Sequence, residues 1–190
     1  MKRSLPVLLV VLVCVLALVG GVWVAGGFNP ATGRLFRQPV GTEVNMGPLS
    51  ISVDRARAQE TYGGEWSIYV IGRCRNNTDE PVSGVTNNLA QNGFSAQHPV
   101  TREVKGEASL FFGPADSLGG SPVLNPGTPM VPCQLVFRFD NFPGTDVVFI
   151  GVSQMEWLDR SPTGEGEMVW SADRVGWRFD VPVVTEPREG

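Results

Sequence analysis

The chain has 190 residues, which is enough for one domain of ordinary size and an anchor. A hydrophobic content of 42% excludes a wholly disordered chain. The 15 basic and 19 acidic residues give a net charge of −4 and form no basic stripe, which argues against nucleic-acid binding.

The first feature in chain order is an uncharged apolar run over residues 5–28, behind a short N-terminus (residues 1–4) that carries Lys2 and Arg3. About 20 apolar residues in a helix span a bilayer core of roughly 30 Å. The run therefore predicts one transmembrane helix, with the N-terminus in the cytoplasm and the rest of the chain outside it. The alternative is a cleaved signal peptide, for which the small residues at 20–21 and at 25–27 offer cleavage sites without a clean A-x-A pattern, and the domain would then be secreted.

Residues 29–39 predict a polar linker, because they show no period and carry proline near both ends. From residue 40 onward, apolar and polar side chains alternate, and no later segment shows a helical period. The segments with clean alternation are residues 49–55, 66–74, 131–139 and 177–183. Residues 146–153 are apolar on both faces and predict a central strand, whereas 109–112 and 168–170 predict weaker strands.

Alternation of this kind is typical of half-buried strands with one face toward a core and one toward water. The 23 glycines and 15 prolines divide the sequence into short segments, as a many-stranded β domain requires. We therefore predict an all-β fold, an antiparallel β-sandwich over residues 40–184, followed by a short tail at 185–190.

Two cysteines fall on apolar faces of predicted strands. Cys74 is in phase with Ile68 and Val70, and Cys133 is in phase with Leu135, so both thiols point inward. They can meet between the sheets or on neighbouring strands, and outside the cytoplasm a disulfide is the expected state. We predict a Cys74–Cys133 disulfide, worth about 4 kcal/mol in the chain-entropy treatment. The alternative is two separate buried thiols.

The third cysteine, Cys14, lies in the middle of the apolar run between Val13 and Val15. It lacks the small residues that precede the lipid-modified cysteine of a lipoprotein, which argues against a lipid anchor. Cys14 is predicted to be a buried, apolar-like side chain in the membrane, which leaves the other two cysteines to pair.

Two turn signatures carry a family resemblance. The sequence NNTDEPV (residues 76–82) predicts a turn, since its Asn, Thr and Asp side chains bond nearby backbone and its proline ends the strand. With LNPGTPMVPCQLVFRFD (residues 124–140), it resembles the immunoglobulin-like extracytoplasmic domain of unknown function in bacterial lipoproteins and envelope proteins. That domain is similar to the mycobacterial secreted immunoprotective antigen. The resemblance spans about residues 40–152 and implies an immunoglobulin-like sandwich without known catalytic residues.

One enzymatic alternative is a sortase-like transpeptidase, a class that also pairs an N-terminal anchor with an all-β domain. His98, Cys133 and Arg138 occur in the order which that class uses. However, PMVPC stands where the class has Thr-Leu-x-Thr-Cys, and Cys133 faces the predicted core, where a thiol is inert.

A calcium site is the second chemical alternative. Asp140, Asn141 and Asp146 offer oxygen ligands, but the spacing of a calcium loop is absent and the same residue types build ordinary turns. His98, the single histidine, precedes Pro99 in a predicted loop and is expected to be exposed and without a role. We therefore predict no metal and no cofactor.

The C-terminal part is rich in tryptophan. Trp177 shares a face with apolar neighbours and is predicted to join the core, whereas Trp157 and Trp170 are predicted to face each other across a hairpin. Taken together, the sequence predicts a non-catalytic binding or structural module of the cell envelope, anchored by residues 5–28, with an envelope protein as its partner. An accessory subunit of a membrane complex is the other non-catalytic alternative.

Overall fold

The computed structural model describes residues 34–61, 63–83, 89–106, 108–113, 121–158 and 169–186. The predicted transmembrane segment at residues 5–28 lies outside this part, as do the first residues of the predicted linker. Within the described ranges, no helix is long and apolar enough to cross a membrane.

The described chain is almost entirely β-structure. It contains the strands β1 (Arg34–Gln38), β2 (Glu43–Asn45), β3 (Leu49–Glu60), β4 (Trp66–Asn76), β5 (Val82–Ser83), β6 (Phe94–Gln97), β7 (Val104–Lys105), β8 (Ala108–Phe112), β9 (Val123–Leu124), β10 (Val131–Phe139), β11 (Val147–Leu158) and β12 (Val169–Glu186), and the short helix α1 (Leu89–Gly93). The predicted strands are confirmed in the described residues, with the weak segment 109–112 inside β8 and residues 169–170 of the segment 168–170 at the start of β12, whereas residue 168 lies outside the described part.

Ten strands are joined by hydrogen bonds: eight follow one path in the order β7-β6-β11-β12-β3-β4-β10-β8, and off this path β1 pairs with β12 and β2 pairs with β3. The long strand β12 belongs to two layers. Its residues 169–182 pair with β11, and residues 183–186 continue in parallel with β3. We call the layer of β1, β6, β7, β11 and the first part of β12 sheet A. The layer of β2, β3, β4, β8, β10 and the end of β12 is sheet B.

The two sheets bury their inner faces in one hydrophobic core, as in a β-sandwich. The largest fully buried side chains are Phe137, Phe139, Phe142, Phe179, Met46, Leu49, Ile51, Ile68, Leu89, Leu110, Leu135 and Ile150. They come from both layers, so neither sheet has a core of its own.

Strand β3 keeps its apolar side chains on the core only because it contains a bulge. Leu49, Ile51 and Val53 point inward, and the phase then changes so that Ala56 and Ala58 are buried. The register with β4 shifts between residues 53 and 55, where one extra residue is inserted. Without that residue, the two halves of β3 would face opposite sides of sheet B.

The close approach of β3 and β4 at the bulge requires a glycine. A Cβ atom at Gly72 would collide with the carbonyl oxygen of Ser52 and lie 3.3 Å from the Cα atom of Val53. Gly72 therefore lets the backbones of the two strands approach each other more closely than a side chain would permit.

The linker predicted over residues 29–39 is wrong for its second part, because Arg34–Gln38 is strand β1. It pairs in parallel with residues 175–179 of β12. Leu35 and Phe36 remain 50% and 53% exposed, so the strand has no buried face and is held by its backbone pairing and by the ion pair of Arg37 with Asp180. A strand of this kind has no hydrophobic alternation for sequence reasoning to detect. The sheet also extends to Glu186, two residues beyond the predicted end of the domain at residue 184.

Helix α1 is a second departure, since no helical period was expected after residue 28. It has five residues, with Leu89, Ala90 and Gly93 buried against neighbouring strands. A single turn of helix is too short to display a period in the sequence.

Candidate functional site

The two inward-facing cysteines are joined, as predicted. Cys74 on β4 and Cys133 on β10 form a disulfide with a Cα–Cα distance of 5.8 Å, and both are buried. Their strands are neighbours in sheet B, where Cys133 lies opposite Gly72. The bond therefore links adjacent strands of one sheet and does not connect the two layers. The sulfur of Cys133 is in a disulfide and is not a thiolate nucleophile.

The prediction that His98 is exposed and idle is wrong. Its side chain is fully buried, with the ring edge-on to Phe142 at 4.7 Å. Its Nδ1 accepts from the N–H groups of Val100 and Thr101 at 3.2 and 3.1 Å, and its Nε2 lies 2.9 Å from the carbonyl oxygen of Pro143. An Nδ1 that accepts two hydrogen bonds leaves the proton on Nε2, which donates to Pro143. His98 therefore ties the turn that follows β6 to the loop that follows β10.

The three residues of the sortase-like alternative do not assemble into a catalytic group. In β10, Cys133 lies on the buried side of the alternation and Arg138 on the exposed side. The two side chains therefore leave sheet B on opposite faces. Both ring nitrogens of His98 have backbone partners, so the geometry for nucleophile activation is absent from this arrangement.

Among the residues of the calcium alternative, the Asp140 carboxylate and the backbone carbonyl of Asp146 have other partners. Asp140 accepts a hydrogen bond from Lys105 Nζ at 3.0 Å, and the carbonyl of Asp146 accepts one from the N–H of Val183 at 2.9 Å. Among the residues that the structure describes, no group of three His, Cys, Asp or Glu side chains could hold a metal ion.

The turn signatures of the family resemblance hold each other together. Asn76 is buried, and its Nδ2 donates to the carbonyls of Glu80 and Leu124 at 2.7 and 2.9 Å. Its Oδ1 accepts from both the N–H and the hydroxyl of Thr78 at 2.8 Å. Leu124 also lies opposite Val82 in the β5–β9 pair. Every donor and acceptor of the Asn76 amide is satisfied, so this side chain stabilises the fold and is not available to bind a ligand.

The tryptophan predictions are confirmed where the structure describes them. Trp177 is partly buried and packs against the core. Trp157 and Trp170 lie opposite each other in the β11–β12 register. The tip between them, at residues 161–167, lies outside the described residues.

One concave surface of the described molecule is an open cleft of about 790 Å³ beside the outer face of sheet B. We call it the β8–β10 cleft. It is lined by Glu65, Gln91, Val104, Lys105, Gly106, Ala108, Ser109, Phe111, Val136, Arg138 and Asp140. Phe111 and Val136 supply apolar surface on the outer faces of β8 and β10, and charged side chains surround them.

The cations of the cleft differ in their environment. Lys105 Nζ lies 2.9 Å from Glu103 Oε1 and 3.0 Å from Asp140 Oδ2. Hydrogen bonds to Glu103 and then to Asp140 raise the pKa of Lys105 above its ordinary value of 10.5. Arg138 is exposed, and in the described part of the chain no carboxylate lies within 4.0 Å of its guanidinium. Of these two cations, Arg138 is therefore the one that is free to pair with an anionic group of a binding partner.

Sequence reasoning missed this cleft. The signal was present in β10, where Val136 is an apolar residue at a solvent-facing position between Gln134 and Arg138. An apolar side chain in the polar phase of a strand is typical of a contact surface, but a single such residue is common on any sheet.

Comparison with known proteins adds little to this description. No protein-family model and no curated protein matches the chain. Among solved structures, an uncharacterized β-sandwich protein from Clostridium difficile is 8% identical, with a TM-score of 0.46 over 77% of this chain and 94% of that one. A candidate lipoprotein from Staphylococcus aureus is 7% identical, with a TM-score of 0.45 over 78% and 97%.

A third structure, a candidate lipoprotein from Bacillus subtilis, is 15% identical, with a TM-score of 0.37 over 73% of this chain and 38% of that one. Similarities at this level do not carry an argument about fold or function. The β-sandwich architecture rests on the strand pairing and the common core described above.

Proposed function

We propose that this chain is a non-catalytic binding module of a bacterial cell envelope. In this proposal, residues 5–28 hold an immunoglobulin-like, disulfide-linked sandwich at the outer side of the membrane, and the β8–β10 cleft receives a partner. The observation that carries the binding role is Arg138, an exposed cation without a carboxylate partner among the described residues, beside the apolar surface of Phe111 and Val136.

The extracytoplasmic location is supported by two independent features. A disulfide between buried cysteines persists in oxidising compartments and is rare in the cytosol. The uncharged run at residues 5–28 has the length of a membrane-spanning helix.

The non-catalytic role is supported by how the chemically versatile residues are used. Cys133 is bonded to Cys74, and both nitrogens of His98 bind backbone groups. The side chains that a sortase-like mechanism requires are therefore committed to the fold, or, in the case of Arg138, lie on the other face of the sheet from Cys133.

Location and anchoring are tested by mass mapping of the intact protein from membranes, with and without reductant. We expect a Cys74–Cys133 link on a chain that retains residues 1–28. A chain without those residues would make the domain a secreted one. A free Cys133 that is alkylated rapidly would contradict the non-catalytic proposal.

Binding is tested with a photo-cross-linking residue at Ser109, which is exposed on β8 and lines the cleft. The matched control is the same residue at Thr101, which is exposed outside the cleft. We expect a discrete envelope-protein adduct from position 109 and none from position 101. The absence of an adduct at 109 would contradict the binding role. Loss of the adduct when residues 5–28 are exchanged for another anchor would identify an accessory subunit of a membrane complex.

A further inference from the structure

We infer that the outer face of sheet B is a docking surface for an acidic, extended protein segment. This inference rests on the proposed binding function and names the partner's chemistry. We call the surface the arginine face. It consists of outward side chains of β3, β4 and β10: Arg55, Arg57, Tyr69, Ile71, Val136 and Arg138.

The strand register places apolar side chains between two arginines. Tyr69 lies opposite Val136 on one side and Arg57 on the other, and Ile71 lies opposite Arg55. Arg138 lies on β10, four residues after Gln134, which is the residue of β10 that lies opposite Ile71. From ordinary strand spacings, the Cα atoms of Arg55 and Arg138 are roughly 16 Å apart across this apolar centre.

The arginines of this face are not fully neutralised. Counting Arg73 and Arg75 on β4, three of five have a carboxylate within 4.0 Å: Arg57 with Glu186, Arg73 with Asp54 and Arg75 with Glu43. Arg55 and Arg138 have none among the residues described. Two of the five arginines are therefore left without a carboxylate within 4.0 Å in the described part of the chain, although Glu65 and Asp140 also line the cleft beside Arg138.

Unsatisfied hydrogen-bond donors lie on the same face. Arg57 Nε and Gln134 Nε2 are buried without a hydrogen-bond partner in the described structure. Gln134 lies opposite Ile71, next to the apolar centre. The guanidinium of Arg57 lies 4.6 Å from the ring centre of Tyr69, which holds it against the sheet. These two nitrogens are not accessible from outside, so a partner meets the exposed guanidinium groups of Arg55 and Arg138, which carboxylates complement.

The apolar centre favours a protein segment over other anions. A bare phosphate polymer satisfies the arginines but leaves Tyr69, Ile71 and Val136 without a contact. Arginine and tyrosine around an apolar centre are the residue types enriched where proteins bind proteins. A separation of roughly 16 Å corresponds to about five residues of extended chain. The fitting segment therefore carries two acidic residues about five positions apart with an apolar residue between them.

The test uses the full-length protein in detergent and a fluorescent synthetic peptide with two glutamates five positions apart and a phenylalanine between them. Binding is followed by fluorescence anisotropy. We expect saturable binding, weakened roughly fivefold by Arg55→Gln and by Arg138→Gln, as for one exposed ion pair each. Replacing the peptide's phenylalanine by serine is expected to weaken binding as well.

The matched control is Arg102→Gln, which removes an exposed arginine from a turn outside the arginine face. It is expected to leave the Kd unchanged. An equal loss with Arg102→Gln would show that bulk charge alone attracts the peptide, and would overturn the inference. No saturable binding would overturn it too, as would equally tight binding of polyphosphate or of anionic phosphatidylglycerol vesicles through the same arginines. A discrete cross-link from position 109 that persists in any of these cases would leave the proposed function standing.

Discussion

The nine residues of β10 alternate between two faces of sheet B that differ in burial and in chemistry. On the inner face, Cys133, Leu135 and Phe137 are at most 2% exposed, and the one chemically reactive group among them is in a disulfide. On the outer face, Val136 and Arg138 line an open cleft. The inner face thus determines stability, and the outer face is available for recognition. Substitutions on the two faces should therefore separate stability from binding.

The largest effect is expected where two strands meet at the inner side of sheet B. In Gly72→Val, the new side chain would collide with the Ser52 carbonyl, so strands β3 and β4 would have to separate at the bulge. We expect a loss of about 4 kcal/mol or more, or no folded protein. Gly144→Ala is the control, because nothing lies within 4 Å of its added Cβ atom. Circular dichroism during thermal unfolding measures both. A stable Gly72→Val protein would contradict the strand packing.

The next largest loss of stability is expected from a substitution on the inner face of β10, and a neighbouring residue on the outer face provides the comparison. Phe137→Ala removes a fully buried ring and should lower the free energy of unfolding by about 4 kcal/mol. Val136→Ala, one residue away on the outer face, should change it by less than about 1 kcal/mol. Urea unfolding of both variants gives the comparison. Similar losses from the two changes would mean that the outer face is covered in the folded protein.

Removal of the disulfide should have a smaller effect. The double change Cys74→Ala with Cys133→Ala opens a link between residues 59 apart in sequence. We expect a loss of about 3 kcal/mol, below the roughly 4 kcal/mol of the chain-entropy treatment, because unfolded chains keep residual structure. Wild-type protein unfolded with and without reductant is the matched comparison. An undiminished midpoint in both experiments would show that the link contributes nothing to the stability of sheet B.

The smallest expected effect is a change in the pH dependence of stability, caused by Lys105 at the rim of the β8–β10 cleft. The pKa of Lys105 is raised by Glu103 and Asp140, so its contribution to stability is complete below the ordinary value of 10.5. It is lost as pH rises through the higher pKa of the folded state. In Lys105→Met, the alkaline side of the stability curve should therefore fall less steeply than in wild type. Identical curves above pH 10.5 would contradict this assignment. The side chain is only partly buried, so a small change is expected.

Local alternation predicted much of the fold, because a strand with one buried face shows that face in its sequence. It placed Cys74 and Cys133 inward. The disulfide was then predicted because both side chains point into the core and because the domain is expected to lie outside the cytoplasm. Alternation alone did not show whether the disulfide lies within one sheet or joins the two sheets, because the answer depends on which strands are neighbours.

The parts that sequence reasoning missed depend on distant partners. His98 is buried because it bridges to Pro143, 45 residues away, and nothing near it in the sequence reveals that contact. Strand β1 exists because β12 offers it a backbone edge, more than a hundred residues further along the chain. The β8–β10 cleft combines residues from several loops and strands, so its position requires the folded chain.

The position of β12 has a consequence for how the protein is made. It is the last strand in the described chain, yet it lies between β11 and β3 in the path and connects the two layers. The ribosome therefore releases β1 through β11 before the strand that joins them is available. Such distant pairings form slowly. In a chain that crosses the membrane during synthesis, this order means that the two layers are not joined until β12 has crossed, whereas Cys74 and Cys133 lie on strands that pair without β12.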